Sequence, residues 1–327
     1  MIKKNTQKAL FLLLLAFFFS PLTSFAEGET LIELSPKTPT PYSPITATIV
    51  SYVFDLNLST ITWTRNGKVL LKGVGEKKLT LQMGGSGDSV PLHVKIVGSD
   101  NSTTDMDITL IPGSVDILYE TPESYTPLFY EGRSLPAEGA LVRFIAMPNI
   151  SEGGKKVPMS SLSYYWYVND ELMEDASGLG RYSGLFNLDF FNVSTRVKVI
   201  VRSPRGAVAE KYIDVYAHEV MPLVYTYDDI FGADYTNLIT KRFETAKNFT
   251  LALEPFYLSS KGPMGDSATY NWAIDGLPVT PFGGRLLSMQ PKENSYGSKM
   301  LNITVANTKR RLQEGSTDIN LIFDTRK

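Results

Sequence analysis

The chain has no cysteine, only two histidines and only three tryptophans in 327 residues. The first absence removes disulfides, thiolate zinc sites and cysteine nucleophiles at once. His93 and His218 fall on different expected strands, so no histidine pair has metal-binding spacing, and His-Glu-x-x-His is absent. A lone strand histidine reads as a solvent-facing or hydrogen-bonded residue. Basic residues have no excess either: 32 Lys and Arg stand against 34 Asp and Glu. Without a basic stripe, nucleic acid is not an expected partner. The densest basic run, Lys309-Arg310-Arg311, reads as a solvated turn.

One apolar run stands out. Lys3, Lys4 and Lys8 precede an unbroken apolar stretch from Ala9 to Phe19, followed by Pro21 and then Ser24-Phe25-Ala26. A positive start, a short apolar middle and small residues at −3 and −1 describe a secretory leader cut after Ala26. The run is shorter than the roughly 20 residues that span a bilayer. An uncleaved anchor is the alternative, and it is the one expected route to a membrane. Residues 1–26 are therefore expected to be removed, leaving 29 basic against 34 acidic residues, a net of −5. Six Asn-x-Ser/Thr sequons, at Asn57, Asn101, Asn149, Asn192, Asn248 and Asn302, matter only in a glycosylating host. The Lys-rich leader and the lack of Cys point to a bacterial one.

All three tryptophans sit in one recurring pattern. Trp63-Thr-Arg-Asn66-Gly67, Trp166-Tyr-Val-Asn169-Asp170 and Trp272-Ala-Ile-Asp275-Gly276 are each a strand ending in a polar pair suited to a tight hairpin. At 31 residues beyond each Trp lie Val94, Val197 and Ile303, and at 33 lie Ile96, Val199 and Val305. Each belongs to an alternating apolar strand, and a further alternating strand closes every unit at Ile108/Leu110, Ile213/Val215 and Ile319/Leu321. A period near one hundred residues is too long for a solenoid and suits autonomous domains. Short strands, frequent turns and no amphipathic helix make the expected fold all-β, three tandem antiparallel sandwiches. The expected boundaries are 27–115, 116–221 and 222–327. Trp63, Trp166 and Trp272 are expected in equivalent core positions.

A Trp strand, an Asn/Asp-Gly turn, a Gly-rich stretch and an alternating Val/Ile strand resemble bacterial Ig-like and PKD-like modules. The resemblance covers essentially the whole mature chain. Of the PKD hallmark, the Trp and the polar-Gly turn are present; the Ig cysteines are not. The resemblance implies a spacer, adhesive or assembly role in the cell envelope and implies no catalysis.

Searching for chemistry gives little. Gly84-Gly85-Ser86-Gly87-Asp88 lacks the last glycine of a nucleophile elbow, and Ser99-Asp100-Asn101 lacks the companion Ser-x-x-Lys of penicillin-binding enzymes. Gly178-Leu179-Gly180 opens no helix and reads as a turn rather than a dinucleotide loop. Asp228, Asp229 and Asp234 gather near the start of the third unit, where a calcium ion would stiffen a junction; the plainer reading is a polar loop. No cofactor, metal or catalytic residue is expected. The expected protein is a non-enzymatic rod, periplasmic, surface-bound or secreted, with other envelope or surface proteins as partners. Its rival is a glycan-binding or weakly hydrolytic protein, which exposed tyrosine rows beside paired carboxylates would favour. The terminal Asp324-Thr325-Arg326-Lys327 is no wall-sorting motif, so attachment is expected through a partner or a retained leader.

Units two and three share a long connection before their Trp, Pro148 to Ser161 and Pro255 to Ala268, which unit one lacks. Both carry a Lys-x-Pro-Met run. Because this loop should face the preceding domain, Met159 and Met264 are expected as inter-domain contacts, flexible thioethers filling irregular gaps.

Overall fold

The computed structural model describes residues 30–128, 130–188, 194–282 and 284–326, with the side chains of residues 262–264 outside that description. The leader, its cleavage site, Asn192 and the Met264 side chain lie outside the described residues. The fold is all-β. No α-helix occurs among the described residues, only short 3-10 turns at Met159–Ser161, Glu174–Ala176 and Gly262–Ser267. No described helix is long and apolar enough to cross a membrane.

The strands form three consecutive sheet pairs. In the first, Thr30–Ser35, Pro44–Ser51 and Lys78–Gln82 make one sheet. Lys68–Val74, Thr60–Arg65, Val90–Val97 and Thr103–Leu110, in that order, make the other. The second pair sets Ser183–Asn187, Leu141–Asn149 and Ser114–Glu120 against a sheet built on Ser163–Val168, Ser194–Arg202 and Val208–Tyr216. In the third, Gly232–Ile239, Met221–Asp228, Phe249–Phe256 and Leu286–Met289 form one sheet. The other runs Arg242–Thr245, Arg310–Asp324, Tyr296–Asn307, Ala268–Ile274 and Leu277–Val279. Among the described residues the strands named above pair antiparallel except Arg242–Thr245, which runs parallel to Arg310–Asp324, and an isolated parallel bridge joins Ala137 to His218.

Each Trp strand shows why the repeat exists. Trp63, Trp166 and Trp272 are 0%, 0% and 2% exposed. Each indole N–H donates to a backbone carbonyl 12 to 15 residues on: Glu76 at 2.9 Å, Arg181 at 3.0 Å and Gly284 at 3.0 Å. A buried indole needs such an acceptor, so the carbonyl is as much part of the repeat as the ring. The turn after each Trp strand has both central residues at positive φ, Asn66/Gly67, Asn169/Asp170 and Asp275/Gly276. That backbone belongs to the hairpin turn whose twist matches the strands, and it favours Asn, Asp and Gly. Across the sheet Trp63 opposes Val94 and Trp272 opposes Ile303, whereas Trp166 opposes Val199, two residues further along. A shift of two keeps every side chain on its face.

The described residues fall into two compact units, one of residues 30–37, 45–81 and 91–109, the other of 38–44, 82–90 and 110–326. Within the first, Ile45, Ala47, Ile49 and Leu79 of one sheet and Ile61, Trp63, Leu92, Val94 and Ile96 of the other are buried. The second holds two cores. One gathers Val142, Phe144 and Ala146 with Trp166, Val197 and Val199; the other gathers Val224, Leu251 and Leu253 with Trp272, Ile303 and Leu321.

What joins the second and third sheet pairs is the connection of residues 121–140, which leaves the second pair and packs on the third. Its Ala137 is part of the third core, with Leu135 against it. Backbone bonds run from Tyr125 N to Leu258 O, Lys261 N to Glu123 O and His218 N to Pro136 O. Gln313 bridges both ways, donating to Glu138 O and accepting from Ser259 N. Arg310 reaches Glu123 at 2.8 Å and also donates to the Gly139 carbonyl. The turn expected at Lys309-Arg310-Arg311 exists at residues 308–309, but Arg310 is no solvated residue: its side chain is 13% exposed and Glu123 11%. Its partner lies 187 residues away, which is why a local reading placed it in water.

A candidate binding cleft on the third sheet pair

The outer face of the third pair's four-stranded sheet carries a cleft of about 570 Å³. Tyr227, Tyr235, Ala252, Glu254 and Leu286 line it from the sheet, and Leu128, Phe231, Phe282 and Arg285 from the loops. The walls come from three places far apart in sequence: the 121–140 connection, the hairpin between Met221–Asp228 and Gly232–Ile239, and the turn before Leu286–Met289.

Local chemistry builds each wall. At the hairpin tip the Asp228 carboxylate accepts the N–H groups of Ile230 and Phe231 at 2.8 and 3.0 Å, and Gly232 follows at φ +80°. An Asx turn of this kind fixes a tip that carries Ile230 and Phe231 outward. Further on, Tyr227 opposes Ala233 and Tyr225 opposes Leu238, so residues 234–237 bulge opposite Thr226 alone. Asp234 ties that bulge by accepting from Thr236 N, Thr236 Oγ1 and Asn237 Nδ2. These donors, the Thr236 hydroxyl foremost, hold its carboxyl below the usual range. The bulge turns Tyr235 back over the sheet, edge-on to Tyr225 at 5.2 Å. On the third wall Gly284 sits at φ +77°, where an added Cβ would lie 2.9 Å from the Tyr270 ring. Its carbonyl holds Trp272, so the same glycine joins the core indole to the neighbouring Arg285.

The floor is polar and self-contained. Glu254 is 4% exposed and accepts from Tyr125 Oη at 2.5 Å, Arg285 Nη2 at 2.6 Å and Tyr235 Oη at 3.1 Å. Arg285 Nε donates to the Leu253 carbonyl at 3.0 Å, and its guanidinium stacks over the Tyr125 ring at 4.6 Å. A buried carboxylate needs this many donors. Burial first, then the Glu254 carboxylate, pushes the Tyr125 hydroxyl up; burial and the Glu254 charge bring Tyr235 to about 12. Both phenols therefore remain donors near neutral pH. Glu254 is the one carboxylate among the described residues lining the cleft, and its oxygens are committed to these donors.

The rim is the reverse. Leu128, Phe231 and Phe282 are 80%, 88% and 82% exposed, yet all three border the same cleft. Single exposed apolar residues are ordinary; three converging from separate loops make this cleft the candidate interaction surface.

Asp228 and Asp234 hold turns and Asp229 lies beside them, and no group of three metal-ligating side chains occurs among the described residues. His93 stands between Asp105 at 3.3 Å and Asp107 at 3.0 Å on an exposed strand face. Gly84 to Asp88 is a turn closed by Gly85 N to Asp88 Oδ2, and Asp100 closes another by accepting from Ser102. Gly178–Leu179 is a short strand paired with Ser163 and Tyr164. Met159 opens a 3-10 turn, half-buried, its carbonyl accepting the Tyr164 hydroxyl at 3.0 Å. In the third pair the corresponding connection meets residues 123–126 through Leu258 and Lys261. A tyrosine row exists on the outer face of the second pair, but cations already stand over Tyr165, Tyr167 and Tyr212 at 5.5, 4.6 and 5.0 Å.

No protein-family model matches the chain, and no curated protein matches it. Similar solved structures include three N-terminal domains of the bacteriophage RB49 highly immunogenic outer capsid protein: 10% identity, 92% of this chain, 100% of that one, TM-score 0.27. A structure concerned with cell-surface retention of a 1.5-MDa bacterial ice-binding adhesin gives 10% identity, 91% and 98% coverage and a TM-score of 0.23. The central fibronectin-III array of RIM-binding protein gives 12% identity, 90% and 95% coverage and 0.26. At these scores the likeness says nothing about ligand or partner.

Proposed function

We propose that the protein is a non-enzymatic, exported envelope protein that serves adhesion, spacing or assembly of surface structures, and that it engages its partner through the cleft of the third sheet pair. On this reading the leader is cut after Ala26 and three modules follow, 27–115, 116–221 and 222–327, with Met159 and Met264 as contacts at the two junctions. The observation that supports binding is the cleft: a strongly exposed apolar rim over a polar floor whose charges neutralise each other. Such a floor orients an occupant without offering a free base, acid or nucleophile. The glycan reading draws less support, because Tyr165, Tyr167 and Tyr212 of the second pair's tyrosine row already have cations over their rings.

The test is complementation in the producing cell. Deleting the gene should impair attachment or a surface structure. The unaltered chain should restore it, while a chain with F231S and F282S, folded as judged by circular dichroism, should not. Full rescue by F231S/F282S would refute the cleft as the binding site.

A further inference from the structure

The cleft has a neighbour of opposite character. On the other side of Tyr227 lies a depression of about 450 Å³ lined by Asp228, Asp229, Asn248, Thr250, Ser288 and Gln290. Tyr227 borders both spaces. The depression's lining has two acids, Asp228 and Asp229, and no Lys or Arg. Asp228 spends one oxygen on the hairpin tip, while Asp229 is exposed and makes no hydrogen bond among the described residues. An apolar hollow and an acidic hollow thus adjoin across one aromatic ring.

We propose that this double site takes a polypeptide segment of a partner, one that seats a large apolar side chain in the cleft and places a Lys or Arg beside it in the acidic depression. The inference deepens the binding reading above and rests on it. Complementarity selects the occupant. The acids repel an anionic bilayer surface and an anionic glycan, and the apolar rim gives a neutral sugar few hydroxyl partners. Arg285 Nε and Nη2 are engaged within the floor, while Nη1 donates to none of the described residues; a peptide carbonyl gives Nη1 an acceptor, and an acyl chain does not. A cleft of this size holds one or two apolar side chains, the scale of a peptide anchor. Phe and Tyr at such a mouth are among the residue types enriched in the buried centre of interfaces.

The experiment pans a random dodecapeptide display library on the mature chain, with the F231S/F282S chain as counter-selection. Enriched peptides are then synthesised for fluorescence anisotropy. The expected motif is Phe, Trp, Leu or Ile next to Lys or Arg. Binding should fall about tenfold or more in F282S and several-fold in D229N, with the D229N loss diminishing at high salt. Circular dichroism and thermal midpoints check that both variants fold. Absence of a shared motif, an acidic motif, or affinity unmoved by F282S and D229N would overturn the proposal. Two further results would also overturn it: sedimentation with uncharged phosphatidylcholine vesicles that F231S/F282S abolishes, pointing to a bilayer, or a dimer that F282S dissolves, pointing to a second copy. Because complementation is scored separately, failure of the peptide proposal with F231S/F282S still inactive in cells would leave the binding reading standing.

Discussion

Replacing Arg310 by Ala removes the residue that fastens residues 121–140 to the third sheet pair. It deletes the pair with Glu123 at 2.8 Å, the bond to the Gly139 carbonyl and the weaker approach to Asn187. Both partners of the ion pair are largely buried, so Glu123 would be left as a poorly solvated, unpaired charge. Breaking one side of a buried pair costs about 3–5 kcal/mol. For a cooperative unit of this size each kcal/mol shifts the midpoint by about 2–4 °C, so a fall of roughly 10 °C is expected. Arg310 touches the connection and not the second pair's core, so the loss should fall on coupling. Scanning calorimetry of the mature chain should show the second and third pairs melting together in the unaltered protein and separately in R310A. The double variant E123Q/R310M removes both charges and should recover a large part of the loss. An R310A chain whose transitions neither move nor separate would refute the assignment of this contact as a fastening.

Trp166→Ala should cost about 3–5 kcal/mol, because the indole is fully buried and its N–H is bonded; urea denaturation followed by near-ultraviolet dichroism checks it. Asp100, Asp234 and Asp275 are all held below the usual carboxyl range, chiefly by Ser102, Thr236 and Lys299. Their contribution is therefore present above the unfolded carboxyl value of about 4 and is lost as pH falls below it. D275N should be less sensitive than the unaltered chain to acidification in that window, as read by thermal midpoints from pH 6 downwards. Export should yield a mature chain beginning at Glu27, seen by mass spectrometry of the exported protein, and a membrane-held species retaining Met1 would point to an anchor.

The repeat was legible because each Trp couples three local requirements: a core-filling ring, an alternating strand and a turn pair at positive φ such as Asn66-Gly67. Those signals lie within a few residues of one another. The cleft was not legible, since Leu128, Phe231 and Phe282 are ordinary loop residues until the fold brings their loops together. Arg310 was misread for the same reason, its counter-ion standing in another repeat. Asp228 and Asp234 drew attention as possible metal ligands, when their oxygens shape the hairpin tip and bulge that carry Phe231 and Tyr235 into place. Connection length was the one available hint: residues 121–140 form a longer stretch without regular structure than compact domains usually tolerate without purpose.

The absence of cysteine makes one measurement especially direct. Ile230 lies at the hairpin tip, 85% exposed, next to the cleft, and I230C gives a single thiol for an environment-sensitive fluorophore. The labelled mature chain is titrated with envelope fragments from the producing cell. If the third sheet pair's cleft is the binding site, emission should shift to the blue and saturate, and the same label in an F231S/F282S background should stay unchanged. No shift, or an equal shift in both backgrounds, would contradict it.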